Sequence, residues 1–240
     1  MNEISVIIPT FQHTKTIENC IDSLLSQTLL PKEIIVVDDG STDDTKIRID
    51  RFGDKIKYVF QNNQGAPTAR NNGAKLATGN FLLFSDADIF FKPNMLEKMF
   101  SVLETHKDVS YVYCGFLWDN KKFPAQTFDA DKLRKSNYIH TTSLIRKQDF
   151  PGFDPKIKRL QDWDLWLTML ENNKIGMEIN EILFYVRNVS GRKNISKWTP
   201  SILYRIPWYA IGWTPKTIRD FKNAEKVIKI KHRLKFKNFT

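Results

Sequence analysis

Short apolar segments alternate with helix-forming segments between residues 4 and 84, and this alternation constrains the fold more than any other feature. Four segments rich in Val, Ile, Leu and Phe are predicted strands: residues 4–8, 33–37, 57–60 and 81–84. Strands that are apolar along their whole length are typical of a sheet buried on both faces. Strand–helix–strand order favours parallel strands joined by right-handed crossovers. The sequence therefore predicts an α/β fold with a Rossmann-like, mostly parallel sheet flanked by helices.

The pattern changes in the second half of the chain. Further strands are predicted at residues 109–116, 144–146 and 183–187, and helices at residues 95–103 and 161–170. Residues 117–137 are polar, with Pro124 in the middle, and are predicted to be irregular. The sequence contains no internal repeat and no low-complexity segment.

Composition places the chain among soluble globular proteins, because 41% of its 240 residues are hydrophobic and 27% are charged. Cys20 and Cys114 form no CxxC pair, which fits a reducing compartment and argues against a cysteine-based metal site. The N-terminus lacks a signal-peptide layout, and no apolar stretch approaches the roughly 18 residues that a membrane span needs. We therefore expect a cytoplasmic protein.

The net charge of +10 is concentrated at the C-terminus. Residues 191–240 contain 13 Lys and Arg but only two acidic residues, Asp220 and Glu225. The body of the protein is therefore close to neutral, and the basic tail needs a separate explanation. Because the body is neutral and carries no nucleic-acid-binding motif, we expect no nucleic-acid partner.

Several familiar sites are absent from the sequence. There is no GxxxxGK[ST] phosphate loop, and no GxGxxG follows the first strand. The four histidines are His13, His106, His140 and His232, and their spacing matches no metal site. Each is expected to be a surface or core residue, and His140 is the best placed of the four to reach a functional site.

Four carboxylates follow predicted strands: Asp38 and Asp39 end the second, and Asp86 and Asp88 follow the fourth. Because the carboxyl ends of parallel strands share one edge, these acids are expected to converge on one crevice. An Asp-Ala-Asp tripeptide offers the oxygen ligands that hard divalent cations prefer. An acidic site needs such a cation to bind phosphate, so the pattern indicates a metal-bound diphosphate, with Asp39 beside a base or ribose. The alternative is ordinary turn and capping chemistry.

Five stretches resemble, in order and spacing, the family 2 glycosyltransferases, which have the GT-A fold. These stretches are Ile4–Phe11, Val36–Thr45, Asn63–Gly73, Ser85–Asp88 and Gln161–Leu167. The resemblance covers residues 1–190. It implies a nucleotide-sugar-binding half at residues 1–110 and an acceptor-binding half at residues 111–190, and it leaves residues 191–240 as an aromatic and basic C-terminal helical tail.

The resemblance also implies the reaction and its donor site, an inverting hexosyl transfer from a nucleotide-diphosphate sugar. The residues that would bind the donor are Pro9, Thr10, Phe11, Asp39, Gly65, Arg70, Asp86, Ala87 and Asp88. Asp88, with Asp86, would hold Mg²⁺ or Mn²⁺ bridging the diphosphate. A departing nucleoside diphosphate gathers negative charge, and a Lewis acid offsets that charge in the transition state.

Asp162 matches the family's catalytic base. Inversion requires an acceptor hydroxyl to attack the face opposite the leaving group, with a base to take its proton. The family usually has Glu before this acid, whereas this chain has Gln161. A neighbouring like charge would raise the pKa of the base, so its absence predicts that Asp162 is a weaker base. The alternative role for Asp162 is a helix N-cap.

A second departure from the family lies near residue 187. Family members often have Tyr-Arg followed two residues later by a histidine, but the segment Tyr185–Asn188 contains none. This departure leaves Arg187 or Arg192 as the residue that would neutralise the diphosphate.

The tail has two interpretations. Residues 198–213 are aromatic and apolar, and residues 216–237 are predicted to form a basic amphipathic helix. Its apolar side would hold Ile218, Phe221, Val227, Ile228 and Leu234. Trp, Tyr, Lys and Arg suit an anionic membrane surface, which favours peripheral attachment at the cytoplasmic leaflet through residues 198–237. The alternative is a helix that packs on the domain with a solvated basic face.

These observations predict a metal-dependent glycosyltransferase that extends a cell-surface polysaccharide or glycolipid on a glycan or lipid-linked acceptor. One alternative is a nucleotidyltransferase on a similar fold, although the stretch from residue 161 to 166 argues against it. The other is a catalytically silent protein that binds nucleotide sugars or acts as a scaffold, which the neutral Gln161 and the missing histidine after Arg187 make conceivable.

Overall fold

The computed structural model describes residues 3–187, 206, 208 and 214–235. Its strands are β1 (Ile4–Thr10), β2 (Glu33–Asp38), β3 (Lys57–Phe60), β4 (Phe81–Phe84), β5 (Ile89–Phe91), β6 (Tyr111–Trp118), β7 (Lys121–Phe123), β8 (Leu144–Arg146) and β9 (Gly176–Val186). Its helices are α1 (Ile17–Leu25), α2 (Thr45–Asp50), α3 (Ala66–Leu76), α4 (Met95–Thr105), α5 (Ala130–Lys135), α6 (Gln161–Glu171) and α7 (Lys216–Lys231).

All nine strands belong to one sheet, in the order β3-β2-β1-β4-β8-β6-β9-β5, with β7 paired to β6. The first four strands in this order are parallel to one another. β8 is antiparallel to both β4 and β6, β6 is parallel to β9, and β5 is antiparallel to β9. The predicted parallel sheet is therefore confirmed in the N-terminal half, and the same sheet continues into the second half.

Apolar side chains cover both faces of this sheet. Neighbouring residues of β1 point to opposite faces, so Val6 and Ile8 lie in the cluster that contains α1, while Ile7 lies in the cluster that contains α3. A Cβ atom on Gly73 would lie 2.4 Å from Cγ2 of Ile7. Glycine at this position therefore lets α3, which carries Arg70, approach the sheet closely.

Some boundaries differ from the sequence predictions. The strand predicted at residues 109–116 lies two residues later, at Tyr111–Trp118, and β9 begins well before residue 183. Residues 117–137, predicted to be irregular, contain β7 and α5. Both elements are short, so they carry too few residues to show a clear hydrophobic period.

The basic C-terminal helix is present as α7 and packs on the domain. Ile218 and Ile228 are buried, whereas Val227 and Ile230 are 52% and 59% exposed. The prediction that Val227 shares the buried side with Ile228 was wrong, because consecutive helical residues point in different directions. Among the described residues, no helix is both long and apolar enough to cross a bilayer.

Charged side chains fix the end of α7 to α6. His232 lies with Nε2 2.9 Å from Oδ1 of Asp164 and Nδ1 2.9 Å from Oε1 of Glu171. Lys231 Nζ lies 2.7 Å from Oδ1 of Asp164 and 2.8 Å from Oδ2 of Asp154. Burial by itself would lower the pKa of His232, but the hydrogen bonds and charges of Asp164 and Glu171 outweigh burial and raise it.

Replacing His232 with Gln is expected to destabilise the protein most at low pH. A histidine whose pKa is raised by folding contributes fully below its unfolded pKa, and the contribution is lost as pH rises through the folded pKa. Hydrogen bonds to charged groups contribute about 1.5–3 kcal/mol. His232→Gln should therefore lower the free energy of unfolding by about that amount at pH 6 and by less at pH 9. Urea unfolding of both proteins at the two pH values measures the difference. If His232→Gln lowers the free energy of unfolding as much at pH 9 as at pH 6, a charged His232 does not stabilise the fold.

Candidate active site

Asp39 organises the loop beside the carboxyl ends of β1 and β2. Its backbone N–H donates to the carbonyl of Thr10 at 2.8 Å. Its Oδ1 accepts from Gln61 Nε2 at 2.7 Å and from the backbone N–H of Gln64 at 2.8 Å, and its Oδ2 accepts from the backbone N–H of Gly65 at 2.8 Å. Each oxygen of a carboxylate can accept more than one hydrogen bond, so Asp39 keeps the capacity to bind a ligand while it shapes the loop.

Asp38 has contacts that suit a structural role. Its Oδ1 accepts from the backbone N–H of Ser41 at 2.8 Å, and its Oδ2 accepts from the hydroxyl of Tyr58 at 2.9 Å. These bonds fix the turn after β2, which agrees with the turn interpretation for this residue alone.

The predicted nucleoside-binding residues at the carboxyl end of β1 lie next to this loop. Pro9 is buried, Thr10 is 2% exposed, and Phe11 is 41% exposed. The buried Oγ1 of Thr10 has no hydrogen-bond partner among the described residues. Gly65 precedes α3 with a φ of +90°, a conformation that favours glycine. The edge of the sheet therefore has an exposed ring beside buried hydrogen-bonding groups.

Arg70 connects the two halves of the site. Its guanidinium is buried and donates from Nη2 to Oδ1 of Asp86 at 2.6 Å and from Nη1 to Oε1 of Gln161 at 2.8 Å. The same group lies over the ring of Phe153, 5.2 Å from its centroid. Burial pushes the pKa of Asp86 up, but the charge of Arg70, with smaller effects from His140, outweighs burial and holds that pKa below its usual value. Asp86 therefore stays ionised.

The rest of the acidic tripeptide lies between β4 and β5. Ala87 is buried, and Asp88 is half-buried. The backbone N–H of Arg187 donates to the carbonyl of Asp88 at 3.3 Å, and the Arg187 guanidinium lies over the ring of Phe90. Arg187 therefore lies beside the tripeptide, and its role at the diphosphate stays a prediction, whereas Arg192 falls outside the described residues.

Asp162 lies in the first turn of α6. Its Oδ2 accepts from Asn137 Nδ2 at 2.7 Å, and its Oδ1 accepts from the backbone N–H of Trp163 at 2.9 Å. Burial raises the pKa of Asp162, and the hydrogen bonds from Trp163 and Asn137 and the charge of Arg70 only partly oppose it. Leu160, just before the helix, has a left-handed φ of +58°, so Leu160 rather than Asp162 occupies the N-cap position.

Two contacts in the site were not predicted from the sequence. Asn137, from the segment predicted to be irregular, holds Asp162, and Gln161 receives the hydrogen bond from Arg70. The partners are 25 and 91 residues apart, so no local spacing could have indicated either contact.

The donor atoms of the acidic tripeptide fit a hard divalent cation. Asp86 and Asp88 offer only oxygen ligands, as Mg²⁺ and Mn²⁺ prefer. Across residues 3–187 and the other described positions, no group of three or more His, Cys, Asp or Glu residues is placed to hold a metal. Two carboxylates suit a cation that takes its remaining ligands from water and from a substrate diphosphate.

Sequence comparisons identify a family and several relatives of this chain. The model described as Glycosyl transferase family 2 matches residues 5–153. Over 230 residues the chain is 31% identical to an uncharacterized glycosyltransferase of Rickettsia prowazekii, covering 88% of this chain and 70% of the relative. It is also 31% identical over 183 residues to the Escherichia coli UDP-Glc:alpha-D-GlcNAc-diphosphoundecaprenol beta-1,3-glucosyltransferase WfgD, covering 72% of each chain.

Solved structures share the fold. Staphylococcus aureus TarS 1-349 in complex with UDP-GlcNAc matches with a TM-score of 0.69 at 20% identity, over 96% of this chain and 71% of that one. Glucosyl-3-phosphoglycerate synthase from Mycobacterium tuberculosis, in complex with Mn²⁺, UDP and phosphoglyceric acid, matches with a TM-score of 0.63 at 18% identity. The match covers 98% of this chain and 80% of the synthase. A second structure of TarS 1-349 matches with a TM-score of 0.66, and the match covers 60% of that TarS chain.

The family match extends over more than half of the sequence and includes β1, the Asp39 turn, Arg70 and the acidic tripeptide. The similarity to R. prowazekii and E. coli glycosyltransferases continues beyond it, and the solved structures share the α/β architecture. The chain therefore belongs to glycosyltransferase family 2 and has the GT-A fold.

Proposed function

We propose that the chain is an inverting glycosyltransferase that moves a sugar from a nucleotide-diphosphate sugar to a hydroxyl of a glycan or lipid-linked acceptor. The observation that carries the proposal is the set of hydrogen bonds Asp86–Arg70–Gln161, which joins the donor-side acids to the start of the helix bearing Asp162. A transferase needs its leaving-group site and its base on opposite sides of one sugar, and this link supports that arrangement.

The donor would lie along the edge formed by β1, β2 and β4. Phe11 offers an exposed ring beside the nucleoside, and Asp39 offers carboxylate oxygens to a base or ribose. Asp86 and Asp88 would hold Mg²⁺ or Mn²⁺, and Arg187 would face the diphosphate. When bound, the cation would offset the negative charge that gathers on the departing diphosphate. Solved relatives of the same fold that contain Mn²⁺ support this assignment.

Asp162 would accept the proton of the acceptor hydroxyl. The hydrogen bond from Asn137 fixes its orientation, and its raised pKa makes it a better proton acceptor than an exposed aspartate. The sequence prediction of a weaker base rested on the missing acidic neighbour. In the structure burial raises the pKa without such a neighbour, and Gln161 instead gives Arg70 an uncharged acceptor.

A silent nucleotide-sugar-binding protein is the second candidate, because Gln161 stands where the family usually has Glu. Binding alone does not require the partly buried Asn137–Asp162 contact or the link through Arg70. The contacts of Asp162 therefore favour the enzyme over the scaffold, and the same acceptor-side helix argues against a nucleotidyltransferase.

Thermal unfolding in the presence of sugar nucleotides tests the donor assignment. A ligand that binds only the folded state raises the free energy of unfolding by RT ln(1 + [L]/Kd), which is about 2.7 kcal/mol at 100 times Kd. We expect at least one of UDP-glucose, UDP-GlcNAc and GDP-mannose to raise the Tm in the presence of Mn²⁺ and to do so less with EDTA. No shift with any sugar nucleotide, with or without Mn²⁺, would contradict the proposal.

The lipid-linked acceptor would bring the enzyme to a membrane surface. The exposed face of α7 carries Val227 and Ile230 among exposed basic residues, including Arg219 and Lys226. Exposed apolar groups among cations suit an anionic leaflet. The E. coli relative, whose name specifies a diphosphoundecaprenol acceptor, also supports this proposal.

Vesicle flotation tests the membrane proposal. We expect the protein to float with anionic phosphatidylglycerol vesicles and to remain behind with zwitterionic vesicles, because each basic residue near an anionic surface contributes about 1 kcal/mol. Val227→Ser combined with Ile230→Ser should weaken flotation at least about tenfold, because both side chains would lose apolar contact with the lipid. Equal recovery of the protein with both kinds of vesicle would exclude this surface.

A further inference from the structure

His140 is held rigidly beside the candidate active site. Its ring lies 4.9 Å from the ring of Phe116 and 5.1 Å from the ring of Phe184, both at an interplanar angle of 56°. Phe116 and Phe184 are themselves stacked with their planes 6° apart. These contacts restrict the rotation of the imidazole, so its nitrogen atoms have fixed directions.

The hydrogen bonds of His140 define its tautomer. Nδ1 accepts from the backbone N–H of Thr142 at 3.0 Å, so a neutral ring carries its proton on Nε2. Within the described part of the chain, no group accepts a hydrogen bond from Nε2. The ring therefore has a fixed donor that its own surroundings do not use.

The electrostatic environment of His140 is that of the active site. Burial lowers the pKa of His140 to about 4, with Asp86 opposing this shift and Arg70 adding to it. The imidazole therefore lies close enough to Asp86 and Arg70 to interact with both charges. Because its Nδ1 accepts the Thr142 N–H, the ring is uncharged in this arrangement. Since Arg70 also reaches Gln161, His140 lies near the connection between the donor-side acids and the helix of Asp162.

We propose that His140 positions the donor sugar, with Nε2–H donating a hydrogen bond to a sugar hydroxyl. The inference rests on the proposed function, because it requires a nucleotide sugar in this site. An uncharged donor suits a neutral hydroxyl, whereas the diphosphate would be neutralised by cations such as Arg187. The sugar joins the diphosphate near Asp88 to the acceptor near Asp162, so it must occupy the region that His140 adjoins.

Two substitutions separate the donor atom from the packing of the ring. His140→Asn keeps an acceptor near the position of Nδ1 for the Thr142 N–H but loses the donor at Nε2. His140→Gln can place an amide N–H near the position of Nε2. His106→Asn is the matched control, since His106 lies at the C-terminal end of α4 and its Nδ1 lies 3.1 Å from the carbonyl of Val102.

The measurement is the affinity gained from the sugar. For each protein, calorimetry with Mn²⁺ compares UDP-glucose and UDP-GlcNAc with UDP, and GDP-mannose with GDP. A net hydrogen bond corresponds to about threefold to tenfold in affinity. His140→Asn should bind the sugar nucleotide that wild type binds most tightly about threefold to tenfold more weakly than wild type does. Its affinity for the nucleoside diphosphate should change less than about twofold. His140→Gln should recover part of the loss, and His106→Asn should match wild type.

The outcomes distinguish this inference from the proposed function. If wild type binds no sugar nucleotide, the proposed function fails and the role of His140 fails with it. If wild type binds a sugar nucleotide and His140→Asn keeps the full gain from the sugar, the inference alone is overturned. An equal loss of nucleoside diphosphate and sugar nucleotide affinity also overturns it, because the residue would then act on the fold or on the diphosphate.

Discussion

Replacing Asp162 with Asn is expected to lower the rate of sugar transfer about 10²–10⁴-fold, the range that general-base catalysis contributes. Asparagine has nearly the same shape and can keep its contact with Asn137, but it cannot take a proton from an acceptor hydroxyl. Donor affinity should stay within about twofold, because Asp162 lies on the acceptor side. Steady-state transfer rates combined with calorimetric donor binding measure both effects.

A matched control is Asp131→Asn, because Asp131 lies on the surface in an ion pair with Arg134 and should leave transfer unchanged. Since the pKa of Asp162 is raised, wild-type transfer should decline as pH falls through a value above that of an ordinary aspartate. If Asp162→Asn weakens donor binding but keeps the wild-type rate of transfer at saturating donor, Asp162 is not the base.

Replacing Asp88 with Ala is expected to remove the dependence on the divalent metal. A lost electrostatic stabiliser of a leaving group typically costs about 10²–10³ in rate, so release of nucleoside diphosphate should fall by at least about 100-fold. Mn²⁺ should also no longer increase the Tm shift caused by a sugar nucleotide. Coupled detection of released nucleoside diphosphate and thermal unfolding provide the two readouts.

The control for this substitution is Asp108→Ala, which removes an exposed carboxylate in the turn before β6. Asp108→Ala should keep both the wild-type rate of nucleoside diphosphate release and the wild-type response to Mn²⁺. If Asp88→Ala keeps wild-type metal dependence, the cation must be held elsewhere.

Most of the parallel half of the sheet could be predicted from the sequence because β1, β2 and β4 are largely apolar on both faces, whereas β3 is an edge strand with exposed Lys57 and Phe60. Ile4–Thr10 and Phe81–Phe84 are buried throughout, and largely apolar segments are typical of such positions. The short β7 and α5 could not be predicted, since three and six residues carry little periodicity. Their placement depends on pairing and packing with distant parts of the chain.

The position of the donor-side acids was predictable, because the ends of parallel strands define one edge of the sheet. The connections between the acids were not. Arg70 donates hydrogen bonds to both Asp86 and Gln161, and Asn137 donates one to Asp162. The partners in these contacts are far apart in the sequence. The motifs therefore predict candidate residues, whereas the structure shows that Gln161 accepts a hydrogen bond from Arg70 without carrying a negative charge.

The contacts of the C-terminal helix α7 could not be predicted from its sequence either. Its basic character was evident from composition, but His232 and Lys231 use part of that charge to bind Asp164, two residues from Asp162. The interpretation as a packed helix is therefore confirmed for the buried face of α7. Membrane contact stays a proposal, now restricted to the exposed face around Val227 and Ile230.

The most direct test of the account is the release of nucleoside diphosphate by the purified chain from the sugar nucleotide that stabilises it most. We predict slow release that requires Mn²⁺ or Mg²⁺, even when water is the only acceptor, and that is lost in Asp88→Ala. Tight binding of a sugar nucleotide without any metal-dependent release, with or without a glycan or lipid-linked acceptor, would contradict the assignment as a transferase.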